Sequence, residues 1–195
     1  MGRIYILMGK SASGKDTIYS RLLGDERLNL SPYVTYTTRP IRSGEREGVE
    51  YHFTTKEDLE AFEKSGKLIE KRIYNTVYGE WIYYSVDSDD IDLANKDYIY
   101  IGTLESYVKM RDFYGPDKVV PIYIEVEDGL RLARAVERER QQAEPKYKEL
   151  CRRFIADSAD FSEEKIEEAG ITERFSNIDM EECVDEILHK VFSVI

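Results

Sequence analysis

The chain has 195 residues and a formal net charge of −11, with 42% hydrophobic and 34% charged residues. That length fits one domain with room for small inserted subdomains, and no apolar run approaches the roughly 18 residues a membrane helix needs. The acidic balance argues against a surface built to bind nucleic acid, so a site for anions must gather its arginines and lysines locally. The N-terminus carries no signal-peptide pattern and no myristoylation signal. Cys151 and Cys183 fall in helical patterns without zinc or disulfide spacing, and read as packing thiols of a reducing, cytoplasmic compartment.

In chain order, "RIYILMG" reads as a buried strand and Lys15 to Leu23 as a helix opening from "MGKSASGKDT". Gly9, Gly14 and Lys15 have the G-x-x-x-x-G-K spacing of a phosphate-binding loop. There the loop's backbone N–H groups would cradle phosphates and Lys15 would neutralise the terminal ones. The position after the lysine usually holds a hydroxyl; here it is Asp16, with the hydroxyl one residue later at Thr17. Two readings stay open: Thr17 holds magnesium with Asp16 as an outer-shell anchor, or Asp16 only caps the helix near its positive end.

"YVTYTT", from Tyr33 to Thr38, reads as a strand, and so does "VEYHFT"; "RPIRSGEREG" is the loop between them. Thr55 is a helix N-cap with Asp58 three residues on, and Gly66 closes that helix. "KLIEKRIY" and "WIYYSV" are further strands, which gives a small mixed β-subdomain after the first helix. "DYIYIG", Asp97 to Gly102, and "KVVPIYIEV", Lys118 to Val126, read as parallel strands around a helix from Leu104 to Tyr114, although Pro121 removes a ladder donor. Asp128 to Gln142 is a helix with Arg131, Arg134 and Arg138 on one side. "QQAEPKY" breaks it, and a further helix carries Arg152 and Arg153. Met180, Cys183, Val184, Ile187, Leu188 and Val191 mark the apolar face of the last helix. Strands alternating with helices after a glycine loop indicate a three-layer α/β fold with a mainly parallel sheet.

In "TTRPIRSGEREGVEYHF", Arg39 and Arg42 offer two guanidiniums to a phosphate, or pair with Glu45, Glu47 and Glu50 in a surface loop. With this block the chain resembles guanylate kinase, a P-loop nucleoside monophosphate kinase. That family pairs a "GxSGxGKST" loop with "TTRxPRxGExxGxDY", "FIE" and "YYGT"; this chain has "GKSASGKDT", "TTRPIRSGEREGVEY", "LIE" and "VYGE" in the same order. "RLARAVERER" is similar to the family's lid, "CRRF" to its "RRL", and "SNIDMEECVDEI" to its terminal segment.

The resemblance implies a P-loop NTPase core (1–32, 97–126 and 170–195), an inserted subdomain for the nucleoside monophosphate (33–96) and a helical lid with following helices (127–169). It implies ATP-dependent, magnesium-dependent phosphorylation of GMP and dGMP by a monomer or homodimer that touches neither nucleic acid nor membrane. Lys15, Arg39, Arg42, Arg138 and Arg153 would be catalytic. ATP would lie on Gly9, Ser11, Ala12, Ser13, Gly14, Lys15, Asp16, Thr17, Arg134 and Asn177. GMP would lie on Thr35, Arg39, Arg42, Tyr51, Glu70, Tyr78 and Glu80, with Glu70 accepting from guanine N1–H and N2–H.

The chain departs from the family pattern at three places. Glu80 replaces a small hydroxyl facing guanine O6 and cannot donate to it, so Glu80 and Glu70 favour different bases unless Glu80 turns away to a cation. Gly102 stands where the family has an aspartate, and a carboxylate moved from there to Asp16 would join the two changes. "QQAEPKYKEL" replaces a short lid. A kinase for another base and a non-catalytic binding module remain as rivals; such modules typically lose the lysine and lid arginines that are kept here.

Overall fold

The computed structural model describes residues 2–76 and 79–194. The apolar run at the start forms β1 (Ile4–Met8), and the glycine loop leads to α1 (Lys15–Leu23). Then come β2 (Leu30–Pro32), β3 (Tyr36–Thr37), β4 (His52–Phe53), α2 (Lys56–Ser65), β5 (Leu68–Thr76) and β6 (Gly79–Val86). The second half holds β7 (Asp97–Ile101), α3 (Leu104–Tyr114), β8 (Val119–Glu125), α4 (Asp128–Arg140), α5 (Tyr147–Asp160), α6 (Glu163–Glu168), β9 (Arg174–Ser176) and α7 (Met180–Val194).

The main sheet runs β2-β7-β1-β8-β9 and every pairing in it is parallel. Successive residues of β1 point to opposite faces, as the period of a strand requires. Ile4, Ile6 and Met8 pack with Tyr98, Leu104, Tyr107 and Met110 on one side. Tyr5 and Leu7 pack with Ile18, Leu22, Cys183, Ile187 and Val191 on the other. Both faces of the sheet are therefore covered, which makes three layers. Full burial of a side chain such as Ile187 contributes roughly 1.5–3 kcal/mol.

A second sheet, β4-β3-β6-β5, is mixed, with β3 and β4 parallel and the β5–β6 hairpin antiparallel. Its own small core is Tyr36, Leu59, Ile82, Tyr84 and Val86. Here α2 starts as the sequence predicts: Thr55 and Asp58 form a reciprocal capping box, and Gly66 ends the helix at φ 72°.

Several expected boundaries differ. The strand expected over Tyr33–Thr38 is only Tyr36–Thr37, because Tyr33 belongs to the other sheet: its N–H donates to the Ile99 carbonyl and its hydroxyl to that of Val86. The residues just before it form β2, an edge strand where Pro32 is tolerated. "VEYHFT" shrinks to His52–Phe53 because Val49 and Glu50 lie in a turn. Pro121 sits inside β8; β9 pairs only from Tyr123 onward, so beside the proline the sheet has a neighbour on one side only. The helix α4 stops at Arg140, two residues before the expected end. β9 and α6 carry no periodic apolar signal of their own. Cys183 is a packing thiol, whereas Cys151 is exposed.

Gly102 closes β7 and donates its N–H to the Leu7 carbonyl. A Cβ there would lie 2.7 Å from the Tyr100 hydroxyl and 2.8 Å from both Ile6 Cγ2 and Ser106 Oγ. The position is thus held by packing, and no aspartate fits without displacing the sheet's neighbours. Gly102→Ala is expected to lower unfolding free energy by about 1–3 kcal/mol through overpacking; chemical denaturation that finds no loss would contradict this.

Candidate functional site

The loop between β1 and α1 is shaped by backbone that only some residues tolerate. Gly9 has φ 154° and Gly14 φ 88°, and Ala12 adopts φ 63° without being a glycine. A Cβ on Gly14 would fall 2.3 Å from Asn177 Nδ2, and one on Gly9 2.6 Å from the Ile124 carbonyl. Asn177 is fully buried and donates from Nδ2 to the Ser13 carbonyl at 2.7 Å. Expected to touch ATP, it instead buttresses the loop from behind. Ser13 is equally buried; its N–H donates to the Lys10 carbonyl and its carbonyl accepts from Asn177. Arg134, also expected at ATP, donates to the carbonyls of Asn177 and Ile178 and ties α4 to the turn before α7.

Lys15 opens α1 half-buried. Its ammonium is held below the usual lysine range, first by burial and further by the charges of Arg138 and Arg153, against the pull of Asp16 and Asp157. The loop lysine and the arginines of α4 and α5 therefore share one electrostatic neighbourhood. Arg138 is exposed on α4, and Arg153 on α5 donates to Glu149 at 3.0 Å. A small cavity of about 90 Å³ between α4 and α5 reaches from both arginines to Ser11. Asp16 and Thr17 are exposed in the first turn of α1, and Gly14, not Asp16, is the N-cap residue.

Sequence reasoning missed the group that fixes this arrangement. Arg131 is 1% exposed, donates to the Ser11 carbonyl, to Asp128 and to Asp157, and lies 4.2 Å from the Phe154 ring centre. Asp157 in turn accepts from the Ser11 N–H at 2.7 Å. Both backbone polar groups of Ser11 are thus held by the α4–α5 pair. The available signal was spacing: Asp157 lies four residues after Arg153, on the same face of α5.

In the second sheet, Arg39 is buried and largely committed. Its guanidinium forms a two-pronged pair with Glu45 at 2.7 Å for each contact, and also donates to Tyr83 Oη and the Pro40 carbonyl. Hydrogen bonds from Arg39, and one from the Arg42 N–H, hold the Glu45 carboxyl at about 2. The rings of Tyr51 and Phe53 lie 5.0 and 5.3 Å from the Arg39 guanidinium. The ion-pair reading therefore holds for Arg39, which shapes the loop. Arg42 is the exposed member, its guanidinium 5.7 Å from the Trp81 ring with no side-chain hydrogen bond to a described residue. Tyr51 packs on Tyr83. Thr35 is buried, and its carbonyl accepts from the His52 N–H. Tyr78 lies outside the described residues.

Glu80 is exposed and accepts from Lys56 Nζ at 2.7 Å, so the carboxylate that disagreed with a guanine site is turned to a cation. Glu70 is 6% exposed and accepts from Ser85 Oγ at 2.9 Å and from Arg72 at 3.2 and 3.3 Å. Between the two sheets opens a cleft of about 1050 Å³, with Gly9, Ser11 and Lys15 at one end, Gly102 and Thr103 on the floor, and Arg72 on the wall formed by β5.

Comparison with known proteins agrees with this layout. Residues 1–88 match the family model for guanylate kinase. A guanylate kinase of Mycoplasmoides gallisepticum is 44% identical over 79 residues, 40% of this chain and 40% of that protein. One of Neisseria gonorrhoeae is 37% identical over 91 residues, 47% and 42% of the two chains. The matched stretch thus spans about two fifths of the curated relatives' length. The crystal structure of guanylate kinase from Anaplasma phagocytophilum superposes with a TM-score of 0.61 at 22% identity, covering 98% of this chain and 85% of that one. The chain is similar to guanylate kinases in sequence over its N-terminal part and shares their P-loop fold throughout.

The clamp on Ser11 has a measurable consequence. Asp157→Ala leaves the buried Arg131 with one carboxylate fewer and the Ser11 N–H without its acceptor. A loss of about 3 kcal/mol is expected in urea unfolding, from uncovering a buried charge. A change below about 0.5 kcal/mol would show the contact to be dispensable.

Proposed function

We propose that this protein is a guanylate kinase: it transfers the γ-phosphoryl group of ATP to GMP, and to dGMP, giving ADP and GDP. The observation that carries the reading is the half-buried Lys15 at the start of α1, which lines the cleft with Gly9 and Ser11, while Arg138 and Arg153 line the small cavity that reaches Ser11 from the facing helices. Phosphoryl transfer asks little covalent chemistry of a protein; it needs fixed cations around charge spread over the phosphoryl oxygens. A GMP phosphate oxygen bonds to Pγ as the bond from Pγ to the bridging oxygen breaks, and that oxygen leaves on ADP.

In this reading residues 33–96 bind GMP, 127–169 form the lid, and the remainder is the ATP-binding core. Backbone N–H groups of Ala12, Gly14 and Lys15 hold the ATP phosphates, while the Ser11 N–H is held by Asp157 and the Ser13 N–H by the Lys10 carbonyl. Arg42, the exposed guanidinium of its loop, meets the GMP phosphate, while Arg39 sets the loop's shape through Glu45. Asp16 and Thr17 suit magnesium: both are exposed at the helix start, where a metal carried mainly by phosphates and water needs only one or two protein oxygens. Magnesium would neutralise phosphate charge. The described residues contain no helix long and apolar enough to cross a membrane. Work on free nucleotides accords with a cytoplasmic monomer or homodimer.

Two variants test this with a coupled assay of ADP release. Lys15→Met is expected to remove most turnover with ATP and GMP while circular dichroism stays unchanged; turnover equal to wild type would sink the catalytic reading. Arg42→Ala is expected to raise the GMP KM and lower kcat together, by at least roughly tenfold in kcat/KM, because a phosphate clamp both binds and orients. An unaltered kcat/KM would return Arg42 to the surface loop.

A further inference from the structure

We propose that Asp157 is a positioning residue for phosphoryl transfer: it sets the distance of α5 from the glycine loop, and with it the place of Arg153. This rests on the kinase reading given above. The Asp157 side chain is 17% exposed and borders the cleft together with Ser11 and Lys15. One of its oxygens, Oδ2, accepts both from the Ser11 N–H at 2.7 Å and from Arg131 Nη1 at 3.2 Å. Among the described residues, the bond to Ser11 is the one hydrogen bond between α5 and the glycine loop. Arg131 adds an indirect tie, since it donates to the Ser11 carbonyl and lies against Phe154 of α5.

Arg153 precedes Asp157 by four residues, so the two share one face of α5 about one turn apart. Arg153 lines the small cavity that reaches Ser11. Its Nε donates to Glu149, while Nη1 and Nη2 make no hydrogen bond to a described residue. The reach of this guanidinium to a phosphate on the loop is therefore set by where the helix stands. A misplacement of about 1 Å can cost roughly a hundredfold in rate. Asp157 also acts by charge, pulling Lys15 upward against the effect of burial, so charge and spacing must be separated. Asparagine separates them. With its carbonyl oxygen in place of Oδ2 it keeps both hydrogen bonds, and its amide nitrogen replaces an oxygen that has no hydrogen bond to a described residue. Glutamate does the reverse, keeping the charge and adding a methylene.

Turnover is read as ADP release with ATP and GMP, and ATP affinity by calorimetry, at a temperature where circular dichroism shows each variant folded. Asp157→Asn is expected to keep kcat within about threefold of wild type. Asp157→Glu is expected to lose at least roughly tenfold in kcat and about threefold in ATP affinity while the GMP KM stays within about twofold, a split that general loosening of the fold does not give. In an Arg153→Ala background the same change should cost less than about threefold in kcat and nothing in ATP affinity, because the group it positions is gone. Asp157→Ala takes the place of the glutamate in this cycle if that variant does not fold. Losses that multiply, an unaffected Asp157→Glu, or a tenfold loss in Asp157→Asn overturn the positioning role, and ADP release by the wild type then still upholds the kinase reading. A wild type that releases no ADP with GMP overturns the kinase reading. The ATP affinities of the same four forms then decide Asp157 by themselves: coupled losses uphold it and additive ones overturn it.

Discussion

The glycine-loop end of the cleft is tied together by one buried cation. Arg131 has no solvent to satisfy it, so its donors must be met by protein, and they are met by the Ser11 carbonyl, Asp128 and Asp157. The partners come from the glycine loop, from α4 itself and from α5. Meeting the needs of one guanidinium therefore fixes the loop against two helices. Asp157 completes the arrangement by accepting from the Ser11 N–H, so the peptide that faces the cleft is gripped from both sides. Lys15, Arg138 and Arg153 then come together as a consequence: α4 and α5 carry the arginines, and the loop carries the lysine.

The same logic recurs in the second sheet, where a committed arginine supports a free one. Arg39 spends its donors on Glu45, Tyr83 and Pro40, which folds the loop so that the Arg42 guanidinium makes no hydrogen bond to a described residue. Glu70 and Arg72 divide the work in the same way, with the buried carboxylate orienting the guanidinium that lines the cleft. In each case the residue that spacing singles out, Arg39 or Glu70, is buried in an ion pair, and its neighbour is the more exposed. Side chains that are themselves locked by hydrogen bonds lose less freedom when they bind, which is the advantage of this construction.

How much was legible in the sequence follows from the range of each interaction. The strand, glycine loop and helix at the start, the Thr55–Asp58 capping box and the apolar face of α7 are local patterns, and each stands where periodicity and capping put it. Arg131 was visible as one of three arginines on a helix, yet its burial depends on Asp157 and Ser11, which are distant in the chain and leave no trace in its own periodicity. β9 is three residues long and owes its existence to the edge of β8. The two opposed votes of Glu70 and Glu80 could be counted in the sequence, but only their partners, Arg72 and Lys56, decide what either carboxylate can still accept.

The carboxylate thought to have moved from the end of β7 to Asp16 is better understood through space than through spacing. Gly102 lies among Tyr100, Ile6 and Ser106, where even a methyl group is obstructed, so the absence of a side chain there follows from how β7 and α3 pack. Asp16 is exposed in the first turn of α1. The carboxylate that does border the cleft beside the glycine loop is Asp157, from α5. It is bonded to Arg131 and to a loop N–H, and it raises the pKa of Lys15 against the stronger effect of burial. Negative charge beside the glycine loop is thus supplied from the helix that also carries Arg153. Any shift of α5 would move a carboxylate and an arginine together relative to Lys15, so the balance of charge there is set by the placement of that helix.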